Sequence, residues 1–327
     1  MKNEVNSKWV NKYSELWQDI FQDDKTFIEK YFATFLNYKT FYHISEKDNL
    51  ISCLIACEYQ WLWHKMTFPF AYLSGILTDN KFRGQGFASK LINHTLNNLY
   101  IQEFYLCGLI AAKNSLVYYY NRFEFIKCNN SAHEIFSKNS ADEILMSKYI
   151  FVTQPNIMNN QYSKFFTCID NAVKHTNNTL SLYNNEEYLR FCVTYRGTNK
   201  AFAVGKEMKD FIELLHIDFN DLESKQVLLS FIAKKLNKDV KISTSHNTMI
   251  RIINVRKILE LYATKSCFTD MRIHITDDII QENNIMVEIK DGKLRDVENS
   301  YGIKTVSIKD LTTMLFSNGR MFLMLDR

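Results

Sequence analysis

The stretch "NKFRGQGFASK", Asn80 to Lys90, sets two glycines two residues apart behind Arg83, in a chain with only nine glycines among 327 residues. That is well below the roughly 7% that is ordinary. The stretch lies between a strand-like run, "PFAYLSGILT", and the helical pattern "ASKLINHTLNNLY". A strand that turns tightly into a helix leaves the first helical N–H groups without partners. With the positive end of the helix dipole, they make a site for a phosphate or pyrophosphate. Glycine lets the anion reach the backbone with no Cβ in the way, and Arg83 adds a fixed charge at the mouth. The pattern, Arg83-x-x-Gly86-x-Ala88, lacks the lysine of a P-loop and the third glycine of a dinucleotide fingerprint. A glycine turn that merely starts a helix has the same letters, so the loop alone leaves both readings open.

The elements around it read as α/β. "SELWQDIF" and "DKTFIEKYFATFL" carry apolar residues at helical spacing, with Asp23 or Asp24 placed to cap the second. "FYHI" and "NLISCLIACEY" read as strands around a turn at Glu46–Asn49. Gly75 and Gly108 fall inside the strand runs flanking the loop, where glycine often marks a bulge or a close backbone approach. Ala88, Leu91, Ile92, Leu96 and Leu99 form one apolar helical stripe. "EFYLCGLIAA", a short aromatic helix "SLVYYYNRF" and a strand "FEFIKC" follow.

From about Lys148 the pattern restarts. "YSKFFTCIDNAVKH" and "NNEEYLRFCVTY" read as helices, and "KAFAVGKEM" and "DFIELLHIDF" as paired strands. The helix "LESKQVLLSFIAKKL" and strand "DVKIST" then repeat the strand–loop–helix–strand order, with "NDLESK" in place of the glycine loop. From Met249 come "MIRIINV", helix "RKILELYA", strands "DMRIHITDD", "NIMVEIKDG" and "KTVSI", helix "KDLTTMLF" and a last strand "RMFLMLD". "DDIIQENN" and "KDGKLRDVEN" read as polar loops.

Composition bounds the function classes. Hydrophobic residues are 46%, charged ones 23% and the net charge is +4, an ordinary globular composition without the dense basic stripe of a nucleic-acid binder. No run of roughly 18 apolar residues suggests a membrane span, and the polar start "MKNEVNSKWVNKYSELW" has no signal-like apolar region. Seven cysteines without Cys-x-x-Cys spacing read as reduced thiols of a cytoplasmic protein, Cys53 and Cys57 packing on one sheet face.

With the loop, "SLVYYYNRFEF" and the element order in view, the chain resembles the GNAT acetyltransferase superfamily. That family's cofactor loop reads Gln/Arg-x-x-Gly-x-Gly/Ala, and a downstream segment ends Tyr-x-x-Phe-Gly-Phe. Over its whole length the chain is similar to the enhanced intracellular survival (Eis) type. The resemblance implies mixed α/β sheets in three parts: a GNAT fold at 1–147, a degenerate GNAT-like domain at 148–247, and a small sterol-carrier-like α/β domain at 248–327. It implies acetyl-CoA as co-substrate, no metal, and a small-molecule or peptide amine as acceptor, with no nucleic-acid or membrane partner; a homo-oligomer fits it too.

By the same resemblance, the amides around Arg83, Gly84, Gln85, Gly86, Phe87 and Ala88 hold the pyrophosphate. Ser74, Gly75, Ile76 and Leu77 lie along the pantetheine arm, and Ser115 joins the cofactor residues. Tyr120 matches the family tyrosine and serves the departing thiolate. The C-terminal carboxylate, here Arg327 beside Asp326, is the implied base, with Glu58 and His64 as competitors. Trp61 and Trp63 read either as a buried hairpin or as an aromatic wall for a cationic amine. Two positions depart from the family pattern: Glu124 stands where it has glycine, and the terminus is not aromatic. Rival readings are a silent acyl-CoA sensor and a lipid-binding protein acting through the last part.

Overall fold

Helix α1 (Ser7–Phe21) buries Tyr13 and Trp17, one turn apart, and α2 (Lys25–Phe35) buries Ile28, Tyr31, Phe32 and Phe35. The Tyr13 ring stacks on Phe32 with centroids 4.8 Å apart, which locks the two helices together. Asp24 caps α2 by accepting from the Thr26 and Phe27 amides, whereas Asp23 accepts the Trp17 indole N–H at 2.8 Å. Of the two candidate caps, the helix uses the second. The computed structural model describes residues 7–37, 39–128, 133–153, 171–174, 188–243, 247–264, 270–298 and 302–319. The chain divides into two compact units, one of residues 1–60, 68–128 and 247–318, the other of 61–67, 129–246 and 319–327.

The first unit is built on a mixed sheet. Strand β1 (Phe41–Glu46) pairs antiparallel with β2 (Asn49–Trp63), from Phe41 opposite Ile55 to Glu46 opposite Asn49. Next come β3 (Met66–Thr78) and β4 (Leu106–Ile110), which are parallel because α3 (Phe87–Ile101) crosses between them. Leu91, Ile92, Leu96 and Leu99 of α3 are buried in one core with Leu54, Ala71, Leu73, Cys107 and Leu109. Each such side chain contributes about 1.5–3 kcal/mol on leaving water. After β4 come the short helix α4 (Asn114–Asn121) and β5 (Ile126–Lys127). Between β4 and β5 lies the strand Thr248–Ile252, antiparallel to both.

The parallel pairing of β3 with β4 runs from Phe70–Leu106 only to Tyr72–Gly108, while β3 continues to Thr78. Past Tyr72 the two strands part. Gly75 sits there with φ +57, a left-handed conformation that costs a residue with a Cβ. Its carbonyl accepts the Tyr13 hydroxyl at 3.0 Å, and a Cβ at this position would overlap the Tyr13 hydroxyl and the Trp17 ring.

Beyond Thr248–Ile252 the first unit adds a four-stranded sheet in the order Lys293–Asp296, Met286–Lys290, Met271–Thr276, Lys304–Ser307, with helices Val255–Ala263 and Ile308–Phe316. Two segments differ from the sequence reading. Lys293–Asp296, read as loop, is an edge strand paired with Met286–Lys290. In "DDIIQENN", read as a polar loop, Asp277 and Asn283 are buried, and Asp277 pairs with the fully buried Arg251 at 2.7 Å. Polar letters there satisfy one another inside the protein rather than facing water.

The second unit is a six-stranded sheet in the order His133–Phe136, Asp239–Ser243, Phe211–Phe219, Thr198–Glu207, Leu189–Tyr195, Ile150–Val152. The helix Leu222–Leu236 crosses between the parallel strands Phe211–Phe219 and Asp239–Ser243. This is the order of β3, α3 and β4 again. Leu189–Tyr195, read as helical, is a strand with neighbours on both sides, and its Phe191, Cys192 and Val193 are buried. Two-sided pairing overrides local helical spacing. Ala172–Lys174, in another stretch read as helix, is also a strand. The last expected strand, "RMFLMLD", lies outside the described residues.

Gly75→Ala should therefore destabilise the protein by about 3 kcal/mol, from left-handed strain plus displacement of two aromatic side chains. Urea unfolding checks it; an unchanged midpoint would mean that β3 does not need this glycine.

Candidate active site

Where β3 and β4 part, a cleft of about 970 Å³ opens. Its walls come from four places: the end of α1 (Asp19, Ile20, Phe21), the end of β3 (Ile76, Leu77, Thr78), the loop and first turn of α3, and the segment from Ala112 to Arg122. Ligands of open α/β sheets sit at this kind of place, outside the carboxyl ends of parallel strands.

The loop is shaped from within. Asp79 accepts the Lys81 amide, a short 3₁₀ turn Asn80–Phe82 follows, and the Arg83 Nε donates to the Thr78 carbonyl at 3.2 Å. Gly84 and Gly86 have φ of +75 and +82. Gly86 is the N-cap of α3, and no side chain caps that helix. A Cβ on either glycine would meet no atom within 4 Å, so steric crowding by the protein is not what selects glycine there. Positive φ and open space on the cleft side are what the sequence supplies. Arg83, Lys113 and Arg122 line the cleft, and among the described residues none of the three pairs with a carboxylate. Among the described residues, Asp19 is the one acidic residue of the lining.

The wall opposite the loop is aromatic. Tyr120 is buried, and burial pushes its phenol well above the ordinary value, with Tyr119 adding to the rise. It is therefore a neutral O–H at any working pH. The Tyr119 hydroxyl lies 3.1 Å from the Ser89 hydroxyl of α3, and the Arg122 guanidinium stacks 4.7 Å from the centre of the Tyr119 ring. Glu124 has φ +64, the conformation for which glycine is the usual choice. Its carboxyl is raised mainly by burial, with Arg251 pulling it down.

Of the residues singled out from sequence, Ile76, Leu77, Arg83, Gly84, Gly86, Phe87, Ala88, Ser115 and Tyr120 line one cleft. Ser74, Gly75 and Gln85 are not in its lining; the Gln85 amide instead donates to the Lys81 carbonyl at 3.3 Å. Arg327 and Asp326 lie outside the described residues. Glu58 is exposed on β2, away from the cleft lining, and His64 lies in the turn after β2 with its ring 4.8 Å from Trp63. Trp61 and Trp63 are buried, and the Trp61 indole donates to Asn171 at 3.1 Å, which favours the packing reading. Cys53 and Cys57 are buried as well, Cys57 within 3.0 Å of the Tyr31 hydroxyl. Sequence reasoning missed Asp19, Phe21, Lys113, Tyr119 and Arg122. The signal for the last three was available: a residue following a strand parallel to β3 must emerge at the same end of the sheet.

The second unit makes a control for the loop. Its helix Leu222–Leu236 is capped by Asp221, whose carboxylate accepts the Ser224 amide at 2.7 Å and the Ser224 hydroxyl at 2.6 Å. Those two bonds, side chain first, hold Asp221 below the ordinary carboxylate range. A built-in carboxylate thus occupies the helix end that the first unit leaves open. Asp221→Ala should cost about 1 kcal/mol at neutral pH. A depressed carboxyl stabilises above its unfolded pKa and loses that contribution as pH falls, so the gap between wild type and variant should shrink below about pH 4. Denaturation at pH 7 and pH 3.5 measures it; a constant gap would exclude the ionised cap.

Residues 3–127 match the family described as Acetyltransferase (GNAT) domain. No curated protein sequence matches the chain significantly. Among solved structures, a protein of unknown function from Enterococcus faecalis, described as a probable N-acyltransferase, aligns with a TM-score of 0.78 at 13% identity, over 95% of this chain and 88% of that one. A GCN5-related N-acetyltransferase from Anabaena variabilis gives 0.76 at 15% identity, again over 95% and 88%. Eis1 from Mycobacterium abscessus gives 0.74 at 11%, over 96% and 88%. These likenesses are of fold, and the family match falls on the stretch that carries the glycine loop and the aromatic wall. Residues 3–127 are thus similar to an acetyltransferase (GNAT) domain, which supports acyltransferase activity for that part of the chain.

Proposed function

We propose that the cleft binds acetyl-CoA and passes its acetyl group to a primary amine of a small molecule or peptide by direct attack. The observation that carries this reading is the glycine-opened start of α3 without a side-chain cap, facing a cleft whose three cations meet no carboxylate among the described residues. The second unit fills the matching helix end with Asp221. A pyrophosphate with a phosphomonoester, as in coenzyme A, brings roughly three to four negative charges at pH 7. Amides of residues 83–88 are assigned to the pyrophosphate. Arg83, Lys113 and Arg122 balance the charge, with Ser115 at the start of α4 beside them. The end of β3 beyond its pairing with β4, Ser74 to Leu77, is proposed to offer backbone groups to the pantetheine arm and, at the thioester, an N–H for the developing oxyanion.

The attacking amine must be neutral, yet an amine of pKa about 10.4 is under roughly 0.1% neutral at pH 7, so a group must take or relay its proton. Tyr120 is proposed to serve the leaving thiolate. A phenol is a weaker acid than a thiol by about 2 kcal/mol in water, and burial widens that gap. Tyr120 therefore donates a hydrogen bond as charge builds on sulfur, and the proton arrives late. Glu124 already holds the glycine-like conformation, which argues against a wall deformed into a silent sensor. Residues 248–327 are proposed to be a sterol-carrier-like scaffold.

Calorimetric titration of acetyl-CoA, beside thiol release over a panel of amines, tests the reading. Wild type should bind in the micromolar range, and Gly86→Val, which strains the left-handed cap and puts branched carbon into the cleft, should lose detectable binding. Tyr120→Phe should keep acetyl-CoA affinity within about twofold and lower kcat about 10²-fold. Binding without thiol release from any amine would leave the sensor, and no binding by wild type would end the acetyltransferase reading.

A further inference from the structure

Arg251 is fully buried on the strand Thr248–Ile252 and reaches three acceptors. Its Nε donates to the Phe123 carbonyl at 2.8 Å, Nη1 to the Ile252 carbonyl at 3.0 Å and Nη2 to Asp277 Oδ1 at 2.7 Å. Asp277 is itself held. Its Oδ1 accepts the Ile279 and Ile280 amides, and its Oδ2 accepts the Asn283 side-chain amide at 2.8 Å. Asn283 in turn donates to the Ile253 carbonyl and accepts the Val255 amide, each at 2.9 Å. Every partner in this chain of bonds except one comes from residues 251–283. The exception is Phe123.

Phe123 lies in the turn between α4 and β5. Its amide donates to the Tyr120 carbonyl at 2.9 Å, its ring packs 5.3 Å from Tyr119, and the next residue, Glu124, is left-handed. A glutamate in that conformation is strained, and strain persists only where neighbours over-determine the backbone. The planar guanidinium fork, fixed by Asp277, is such a neighbour. We infer that Arg251, oriented by Asp277, is a positioning residue for the cleft: it clamps the Phe123 carbonyl and so holds Tyr119, Tyr120 and Arg122 at their places in the wall. The last third of the chain thereby acts on the site without touching it. For its effect on cofactor binding, this inference rests on the acetyl-CoA reading above; the clamp itself does not.

Arg251→Lys keeps the charge beside Asp277 but cannot serve three acceptors from one planar fork. Amide hydrogen exchange needs no ligand and reads the clamp directly. In Arg251→Lys, exchange of the Arg122, Phe123 and Glu124 amides should accelerate at least tenfold, and coenzyme A should bind at least fivefold more weakly. Ile289→Val, a core change in the four-stranded sheet, should lower Tm and move neither. Adding Glu124→Gly to Arg251→Lys should recover at least half of both losses, because glycine needs no clamp to hold φ near +60; a merely destabilising lysine would not be rescued this way. If Arg251→Lys does not accumulate folded, Asp277→Asn is measured identically and should show the same local acceleration. Wild-type exchange rates at these three amides in the variant, or equal acceleration in Ile289→Val, overturn the inference. Should wild type bind no coenzyme A, the cofactor reading fails while the exchange comparison still decides the clamp.

Discussion

The pairing of β3 with β4 ends at Tyr72 and Gly108, while β3 runs on to Thr78. Two parallel strands that stay in register would close the sheet and leave no room at their carboxyl ends. Here Gly75 takes a left-handed turn inside β3, and its carbonyl is held by the hydroxyl of Tyr13 from α1. Past that point β3 continues without β4, and Ile76, Leu77 and Thr78 at its end line the cleft. The glycine loop, the start of α3 and the aromatic wall of α4 are all arranged around that opening. α1 contributes twice, by fixing the bend through Tyr13 and by lining the cleft with Asp19, Ile20 and Phe21.

The two units show one strand–helix–strand plan used in two electrostatic states. In the second, Asp221 supplies a negative charge to the start of its own helix, and the site is complete without a ligand. In the first, a left-handed glycine starts the helix and supplies none. At that helix end Arg83, Lys113 and Arg122 meet no carboxylate among the described residues, and like charges held together repel. The anionic ligand proposed above would offset that repulsion. This is why the difference between "NKFRGQG" and "NDLESK" carries more about function than the shared fold does.

The buried polar network around Arg251 shows a different economy. A buried charge is tolerated only when paired and fully hydrogen-bonded. Arg251, Asp277 and Asn283 meet that condition with each other and with nearby backbone. One bond of the set goes to Phe123, beside the reaction wall. In sequence these residues are far apart and look like ordinary surface letters.

Much of the local structure was legible in the sequence. The apolar stripe of α3, the hairpin of β1 and β2, the cap at Asp24 and the glycine turn follow from spacing and backbone chemistry that act within a few residues. Arg83, Gly86 and Ala88, singled out together from sequence, do line one cleft. The errors fall where long-range pairing decides: Leu189–Tyr195 has helical spacing yet is a strand, because neighbours on both sides take its backbone bonds. "DDIIQENN" reads as solvated loop yet buries Asp277, because a guanidinium from residue 251 was there to receive it. Lys113, Tyr119 and Arg122 became part of the cleft only through the parallel register of β4 with β3. What lay within the sequence alone was the left-handed backbone before α3, since positive φ comes most freely to glycine. Which side chains line the cleft, and which bonds reach them from far along the chain, rests on the tertiary structure, since those contacts join residues whose separation carries no periodic signal.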